Sequence, residues 1–196
     1  HDALDGFIRA GPPEDPDQAL AALLDQGRRV FETVIERPAV WAFWWPRFER
    51  IARWFIGAEA MRAAALVASH SEIRGKIELP GPTGPITLTA IADRLDQRVD
   101  GGWTIIDYKT GMVPRRAEVD AGLAPQLALE ALILRRGGFT DLPAGEAASL
   151  DYWRLTGGEP AGEMRAHDQN VDALIDDAEA GFLGLIEAFG RSETPY

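Results

Sequence analysis

From the first residue to about position 70, apolar side chains recur at steps of three and four, the spacing of helices that pack by one face. HDALDGFIRAG carries Leu4, Phe7 and Ile8 in that pattern and stops at Gly11-Pro12-Pro13, so it reads as the last turns of a helix. Asp17 to about Ile35 follows an acidic, proline-rich EDPD and sets Leu20, Leu23, Leu24, Val30, Phe31 and Val34 on one side. PAVWAFWWPRFERIARWFIGAEAMRAA repeats the spacing with Trp44, Phe48, Ile51, Trp54 and Phe55, and Pro46 stands near its start. Trp41, Trp44, Trp45 and Trp54 share this apolar stripe, which makes them packing residues rather than a platform for stacked bases.

From Ser71 the period drops to two. EIRGKIELP, PITLTAIADRLDQRV and GWTIIDYK alternate apolar and polar residues or run β-branched between turn signals, which predicts three strands in a meander. A loop rich in Gly, Pro and Arg leads to PQLALEALILRRGG, a short helix with Pro125 in its first turn and Gly137 at its stop. ASLDYWRL at 148–155 predicts a fourth strand, and the segment from about Asn170 to Phe189 a final helix. There is no internal repeat, and the order of elements predicts an α/β or α+β core wrapped by helices.

Composition narrows the chemistry. The chain has 196 residues, 46% of them hydrophobic, enough for one substantial core. No run of about eighteen apolar residues and no basic-then-apolar leader occurs, so the expectation is a soluble, cytoplasmic chain with no membrane partner. The absence of cysteine removes disulfides, thiolate metal sites and thiol nucleophiles, so a metal would be held by carboxylates, carbonyls or one of three histidines. That donor set favours a hard cation. A formal charge of −11 excludes nucleic-acid binding by bulk electrostatics and leaves only local basic clusters, Lys109 with Arg115 and Arg116, and Arg135 with Arg136. The first residue is His1, with no initiator methionine, and helix begins at once, which suggests a segment of a longer polypeptide.

TIIDYKTG, 104–111, holds the candidate chemistry. Alternate residues of a strand share a face, so Asp107 and Lys109 point one way while Ile106 and Tyr108 point the other. A carboxylate there suits Mg²⁺, and a lysine one step on can orient a water or neutralise charge that develops on a phosphate. Mg²⁺ commonly takes one or two carboxylates, and the preceding strand offers Asp93 and Asp96 on its opposite faces. The turn in VDGGW decides between them. A two-residue turn at Asp100-Gly101 puts Asp96 on the face of Asp107, whereas a three-residue turn at Asp100-Gly101-Gly102 brings Asp93 there; both are permitted, and a bulge would change the parity again.

GPITLTAIADRLDQRVDGGWTIIDYKTG followed by GLAPQLALEALIL resembles the RecB-type nuclease branch of the PD-(D/E)XK superfamily, and most closely the C-terminal nuclease domains of AddB subunits in bacterial AddAB helicase-nucleases. The match is specific across residues 86 to 134 and weaker elsewhere. It implies a PD-(D/E)XK core, a central mixed sheet of about four strands flanked by helices. It further implies a single nuclease domain over 1–196, with a helical part at 1–70, a strand-rich catalytic core at 71–155 and a C-terminal helix at 156–196.

By that resemblance Asp93 and Asp107 are metal-binding aspartates, Lys109 is the catalytic lysine, and Gln126 is the helix glutamine that supports the site or contacts DNA. The resemblance selects the three-residue turn or an equivalent bulge, and leaves Asp96 as a surface or structural acid paired with Arg94 or Arg98. His1, with Leu4 and Phe7 behind it, fits the family's upstream histidine, so His1, Asp93, Asp107 and the Tyr108 carbonyl would hold one or two Mg²⁺ or Mn²⁺ ions. A neutral imidazole among those ligands means that acid pH should weaken metal binding. The implied activity is hydrolysis of DNA phosphodiesters, with a helicase motor and an AddA-type subunit delivering single-stranded DNA during double-strand-break repair by recombination.

Other members of the superfamily suggest a silent assembly module or a free-standing endonuclease as alternatives. Arg115 and Arg116 are expected to guide the strand. The chain departs from its relatives in carrying Glu130 where a tyrosine is common, read here as facing solvent, and in lacking the four cysteines of an iron–sulfur cluster. Glu72 is a further acid near the site, read as a capping or surface residue; His70 and His167 match no motif position.

Overall fold

The computed structural model describes residues 1–34 and 38–190. Three helices come first: α1 (Asp2–Arg9), α2 (Pro16–Val34) and α3 (Pro38–Arg62). Two long strands, β1 (Leu66–Leu79) and β2 (Ile86–Arg98), and a short one, β3 (Trp103–Lys109), form the meander. Then follow α4 (Arg116–Asp120), α5 (Gln126–Arg135), β4 (Ala147–Leu155), β5 (Gly162–His167) and α6 (Val171–Phe189). Ile35, the expected end of the second helix, and the side chain of Val34 lie outside the described residues.

The five strands make one mixed sheet in sequence order, with β3 and β4 parallel and every other neighbouring pair antiparallel. One strand more than expected is present. GEMRAH, 162–167, is too short and too polar to stand out by period, yet it pairs along β4 from Leu150 to Leu155 and closes that edge. The helical part ends sooner than expected as well, because β1 starts at Leu66 rather than Ser71. The arginine-rich loop contains α4, a single turn and a half too brief for periodicity to reveal.

Alternation along the strands gives the sheet two apolar faces, each covered by helices. Trp103, Ile105, Leu150 and Tyr152 pack under α5 and α6, meeting Leu127, Ala131, Leu134 and Ile175. Ile106, Tyr108, Trp153 and Leu155 pack under α1 to α3, meeting Leu4, Phe7, Leu23, Phe48 and Phe55. The result is a three-layered α/β fold with the sheet in the middle. On α3 the expected buried face holds for Phe48 and Phe55, whereas Trp44 points outward. Trp41 and Trp45 stack 5.1 Å apart beside Phe31 of α2 and fill that contact, so Trp44 is covered instead by the Arg47 guanidinium, 5.6 Å from its ring.

An ion cluster is buried between α3 and the sheet. Arg94, fully buried, binds Asp96 at 2.6 Å and Glu59 at 2.8 Å, and donates to the Tyr108 hydroxyl and to Ser69. Arg62 reaches Asp96 at 2.8 Å, and both guanidinium groups lie over the Trp153 ring. Asp96 is therefore an interior structural acid, not a surface one. The expected Arg94 partner is present, while Arg98 pairs with Asp100 instead.

Candidate active site

The β2–β3 turn takes neither of the two forms that the sequence permits. Arg98 N–H donates to the Gly102 carbonyl at 2.9 Å and Gly101 N–H to the Arg98 carbonyl at 3.1 Å, so the loop is Val99-Asp100-Gly101, one residue earlier than expected. Gly101 supplies the positive φ, +89°, and the Asp100 carboxylate caps Gly102 N–H. Pairs at Asp96 with Thr104 and Arg94 with Ile106 set a register that, continued, places Asp93 opposite Asp107. The face parity equals that of the longer turn. Asp93 thus joins Asp107, and Asp96 goes to the ion cluster on the other face.

Strands β2 and β3 part at this point. The last pair between them is Arg94 with Ile106, and beyond it the Tyr108 N–H donates to the Asp93 carboxylate at 2.8 Å instead of to a strand carbonyl. Across β1, Glu72 stands at a break in the pairing with φ +51°, an uncommon conformation for a non-glycine residue. Ala92 and Leu95 both lie in the α5-side core although they are three positions apart, an odd step, so the alternation of β2 slips through Asp93. The irregularity presents a carboxylate at a gap in the sheet, where water and a ligand can reach it.

His1 caps the start of α1, whose buried Leu4 and Phe7 anchor it on the sheet. Its Nδ1 lies 3.5 Å from Asp93 Oδ2. The hydrogen bond to Asp93 raises the imidazole pKa against the opposing effect of burial, and the Tyr108 carbonyl and the Asp107 charge act in the same direction. Burial pushes Asp93 upward, but His1, the Tyr108 N–H and Lys109 together hold it below the usual carboxylate range. Glu72 is drawn in too: burial, then the neighbouring Asp93 and Asp5, raise its pKa. His1, Glu72 and Asp93 offer donor atoms that all lie within 4.8 Å of one another. Glu72 is thereby part of the site rather than a capping or surface residue, and its place beside an odd-parity break was not legible from period alone.

Asp107 sits on the α5 side of the gap, 3% exposed. Its Oδ1 accepts from Lys109 Nζ at 2.9 Å and from Gln126 Nε2 at 2.8 Å. Lys109 Nζ is also 2.9 Å from Oδ2, but at an angle that makes no hydrogen bond, so Oδ2 is buried without a hydrogen-bond partner. Gln126 Oε1 accepts from Lys109 at 3.3 Å, and its Nε2 also donates to Glu130 at 3.1 Å. Those contacts fix the orientation of the amide.

Glu130 does not face solvent as expected; it is 4% exposed. QLALEALILR is apolar on every side except its ends, so α5 is a helix buried all round and an acid in its middle has no wet face to occupy. That lone acid was the available signal. Burial, helped by the Asp107 and Asp93 charges and opposed by the Gln126 hydrogen bond, pushes its pKa up to about 8. A carboxyl with its folded pKa above its unfolded value of 4.5 contributes stability that is complete below 4.5 and is lost as pH rises through about 8. In EDTA, Glu130→Gln is expected to stabilise the protein at pH 9 by on the order of 4 kcal/mol and to change little at pH 4. Thermal melts at the two pH values check this, and equal shifts at both would contradict it.

The basic residues expected to guide a strand are engaged locally. Arg115 binds Glu118 at 2.9 Å, and Arg116 lies 3.8 Å from Asp120 and donates to Gln169.

Two carboxylates and a lysine thus meet at a gap in a mixed sheet, sandwiched between helical layers. The family model described as the PD-(D/E)XK nuclease superfamily matches residues 1–195, and the chain belongs to that superfamily. Membership implies phosphodiester hydrolysis, typically with divalent metal ions. An uncharacterized protein of Rickettsia bellii is 30% identical over 99% of this chain and 25% of its own length. An uncharacterized protein of Rickettsia typhi is 31% identical over 61% of this chain and 14% of its own. This chain thus spans a quarter or less of these curated relatives. Among solved structures, SSO0001 is similar over 82% of this chain and 71% of that one, at 14% identity and a TM-score of 0.39.

The donors suit a hard divalent cation. Asp107 Oδ2 is a buried carboxylate oxygen with no hydrogen bond, beside the Lys109 ammonium, and the candidate donors near it are the oxygens of Asp93 and Glu72 and the His1 imidazole.

Proposed function

We propose that this chain is a Mg²⁺- or Mn²⁺-dependent nuclease that hydrolyses DNA phosphodiesters, and that it acts as the nuclease part of an AddAB-type helicase-nuclease in recombinational repair of double-strand breaks. The observation that carries the catalytic reading is the Asp93 and Asp107 pair, held across the gap with Lys109 and Gln126 attached to Asp107. His1, Asp93, Asp107 and the Tyr108 carbonyl, with Glu72 beside them, would hold the metal. A cation held by these residues would supply Lewis-acid chemistry, polarising the scissile phosphate and acidifying a bound water.

The protein's own groups do the rest. Lys109, 32% exposed at its side chain and tethered to Asp107 and Gln126, places an ammonium where it can orient the attacking water or screen the charge that grows on phosphate. Gln126 sets that ammonium: with Nε2 donating to Asp107 and Glu130, only Oε1 is left to face Lys109. The helicase-nuclease context is supported by the relatives being several times longer than this chain and by the acidic total. With a net charge of −11, the domain depends on a motor and an AddA-type subunit to bring single-stranded DNA to it. Among the described residues, no helix is long and apolar enough to cross a membrane.

The full-length protein with its partner subunit is expected to digest single-stranded DNA in Mg²⁺ or Mn²⁺, to stop in EDTA and to recover when metal is restored. Digestion that persists in EDTA would overturn the reading.

A further inference from the structure

A groove of about 600 Å³ opens beside the site, between the 112–115 and 123–124 segments and the β4–β5 edge of the sheet. Its floor continues the catalytic face. Lys109 pairs in register with Arg154 on β4, and Tyr152, two residues before Arg154, pairs with Arg165 on β5, so Lys109, Arg154 and Arg165 share one face on three consecutive strands. Neighbouring strands lie about 4.8 Å apart; Glu163 is the β5 residue level with Arg154, and Arg165 stands one step along that face, level with Tyr152, so the three cations form a short staggered patch beside Asp107 with Glu163 at its edge. In a chain of net charge −11 such a patch is a local exception.

Arg154 is its least committed member. Its Nε donates to the Gly111 carbonyl at 3.1 Å, and Glu163, its neighbour across the β4–β5 pair, is bound by Arg165, so Arg154 itself makes no ion pair among the described residues. Arg165 is held by Glu163 at 2.8 Å on the exposed edge, a pairing that water screens and a phosphate can replace. The rim is apolar where the floor is basic. Met112 is 93% exposed and Leu123 76%, and both line the groove.

We infer that this groove seats the single-stranded DNA that runs on from the scissile phosphate, with Arg154 and Arg165 on its phosphates and Met112 and Leu123 against its unstacked bases. The inference rests on the nuclease reading and extends it. A duplex keeps its base faces stacked inside and offers this groove phosphates alone, whereas a single strand meets both the arginines and the apolar rim. The patch is also short, enough for a few phosphates and not for a duplex footprint.

The test is binding of a fluorescein-labelled twelve-residue oligothymidylate to the full-length protein in EDTA, followed by anisotropy between 50 and 200 mM salt. Each phosphate contact in a single strand contributes about 0.7 to the salt slope, so Arg154→Gln with Arg165→Gln should flatten it by about 1.4 and weaken binding at 50 mM salt at least about tenfold. Arg165→Gln alone, at the sheet edge, should flatten it by about 0.7, and thermal melts of both variants separate lost binding from lost fold. Met112→Ser with Leu123→Ser should weaken binding several-fold at unchanged slope. Slopes equal to wild type in folded variants overturn the groove, and a hairpin duplex that competes as well as unlabelled oligothymidylate overturns the single-strand assignment. Metal-dependent cleavage of a nitrophenyl ester of thymidine phosphate by the wild-type protein reads the chemistry separately. If that cleavage is absent while the slopes behave as expected, the nuclease reading fails and the groove stands.

Discussion

Asp107→Ala is expected to lower metal-dependent cleavage of single-stranded DNA by about 10³-fold or more while leaving the melting temperature of the metal-free protein nearly unchanged. The two halves of that expectation come from the same carboxylate. Oδ1 organises Lys109 and Gln126, and Oδ2 is buried with no hydrogen-bond partner, an arrangement that serves a ligand better than it serves the fold. Removing the charge also frees the site of a buried carboxylate whose burial itself costs stability, which offsets the lost hydrogen bonds. Lys109→Ala should lose activity too but keep metal affinity, since an ammonium is no ligand. Calorimetric titration with Mn²⁺ separates the two variants. Unchanged digestion by both, with any second nuclease in the complex silenced, would remove this site from the chemistry.

Asp96→Ala should produce the opposite pattern. Asp96 is fully buried and accepts from Arg94 and Arg62, and its loss leaves the buried Arg94 with Glu59 as its one remaining carboxylate. Breaking a buried pair from one side costs about 3–5 kcal/mol, which in a domain of this size is a fall on the order of 10 °C in melting temperature. Asp107 projects from the other face of the sheet, and Asp96 bonds to Arg94 and Arg62 rather than to any proposed metal ligand, so Mn²⁺ affinity measured below the new melting point should stay within about twofold of wild type. A loss of metal affinity without a loss of stability would show that the faces have been assigned the wrong way round.

These two aspartates, like Asp93 between the strands, mark what a sequence can and cannot disclose. Period showed that Asp93 and Asp96 point to opposite faces, because that follows from strand geometry alone. It could not say which one meets Asp107, since the answer hangs on one residue of turn register. The turn that forms, Val99-Asp100-Gly101, starts on a valine that no turn preference singles out. Helices and long strands were legible because their apolar faces repeat; α4 and β5 were not, being shorter than the window over which a repeat can be counted. Glu130 and Glu72 were misplaced for a common reason. Their burial is decided by what packs around them, the all-apolar α5 in one case and a local break in strand pairing in the other, and neither depends on the acid itself.

The bond from Tyr108 N–H to the Asp93 carboxylate has a mechanical side. Where β2 leaves β3, a side chain acts as the stitch that a backbone carbonyl makes elsewhere in the sheet. Asp93 therefore serves a seam as well as the proposed cation site, and a cation that drew its oxygens away would loosen the hem of the strand that carries Asp107 and Lys109. Occupancy of the site would then be felt as slack in the sheet.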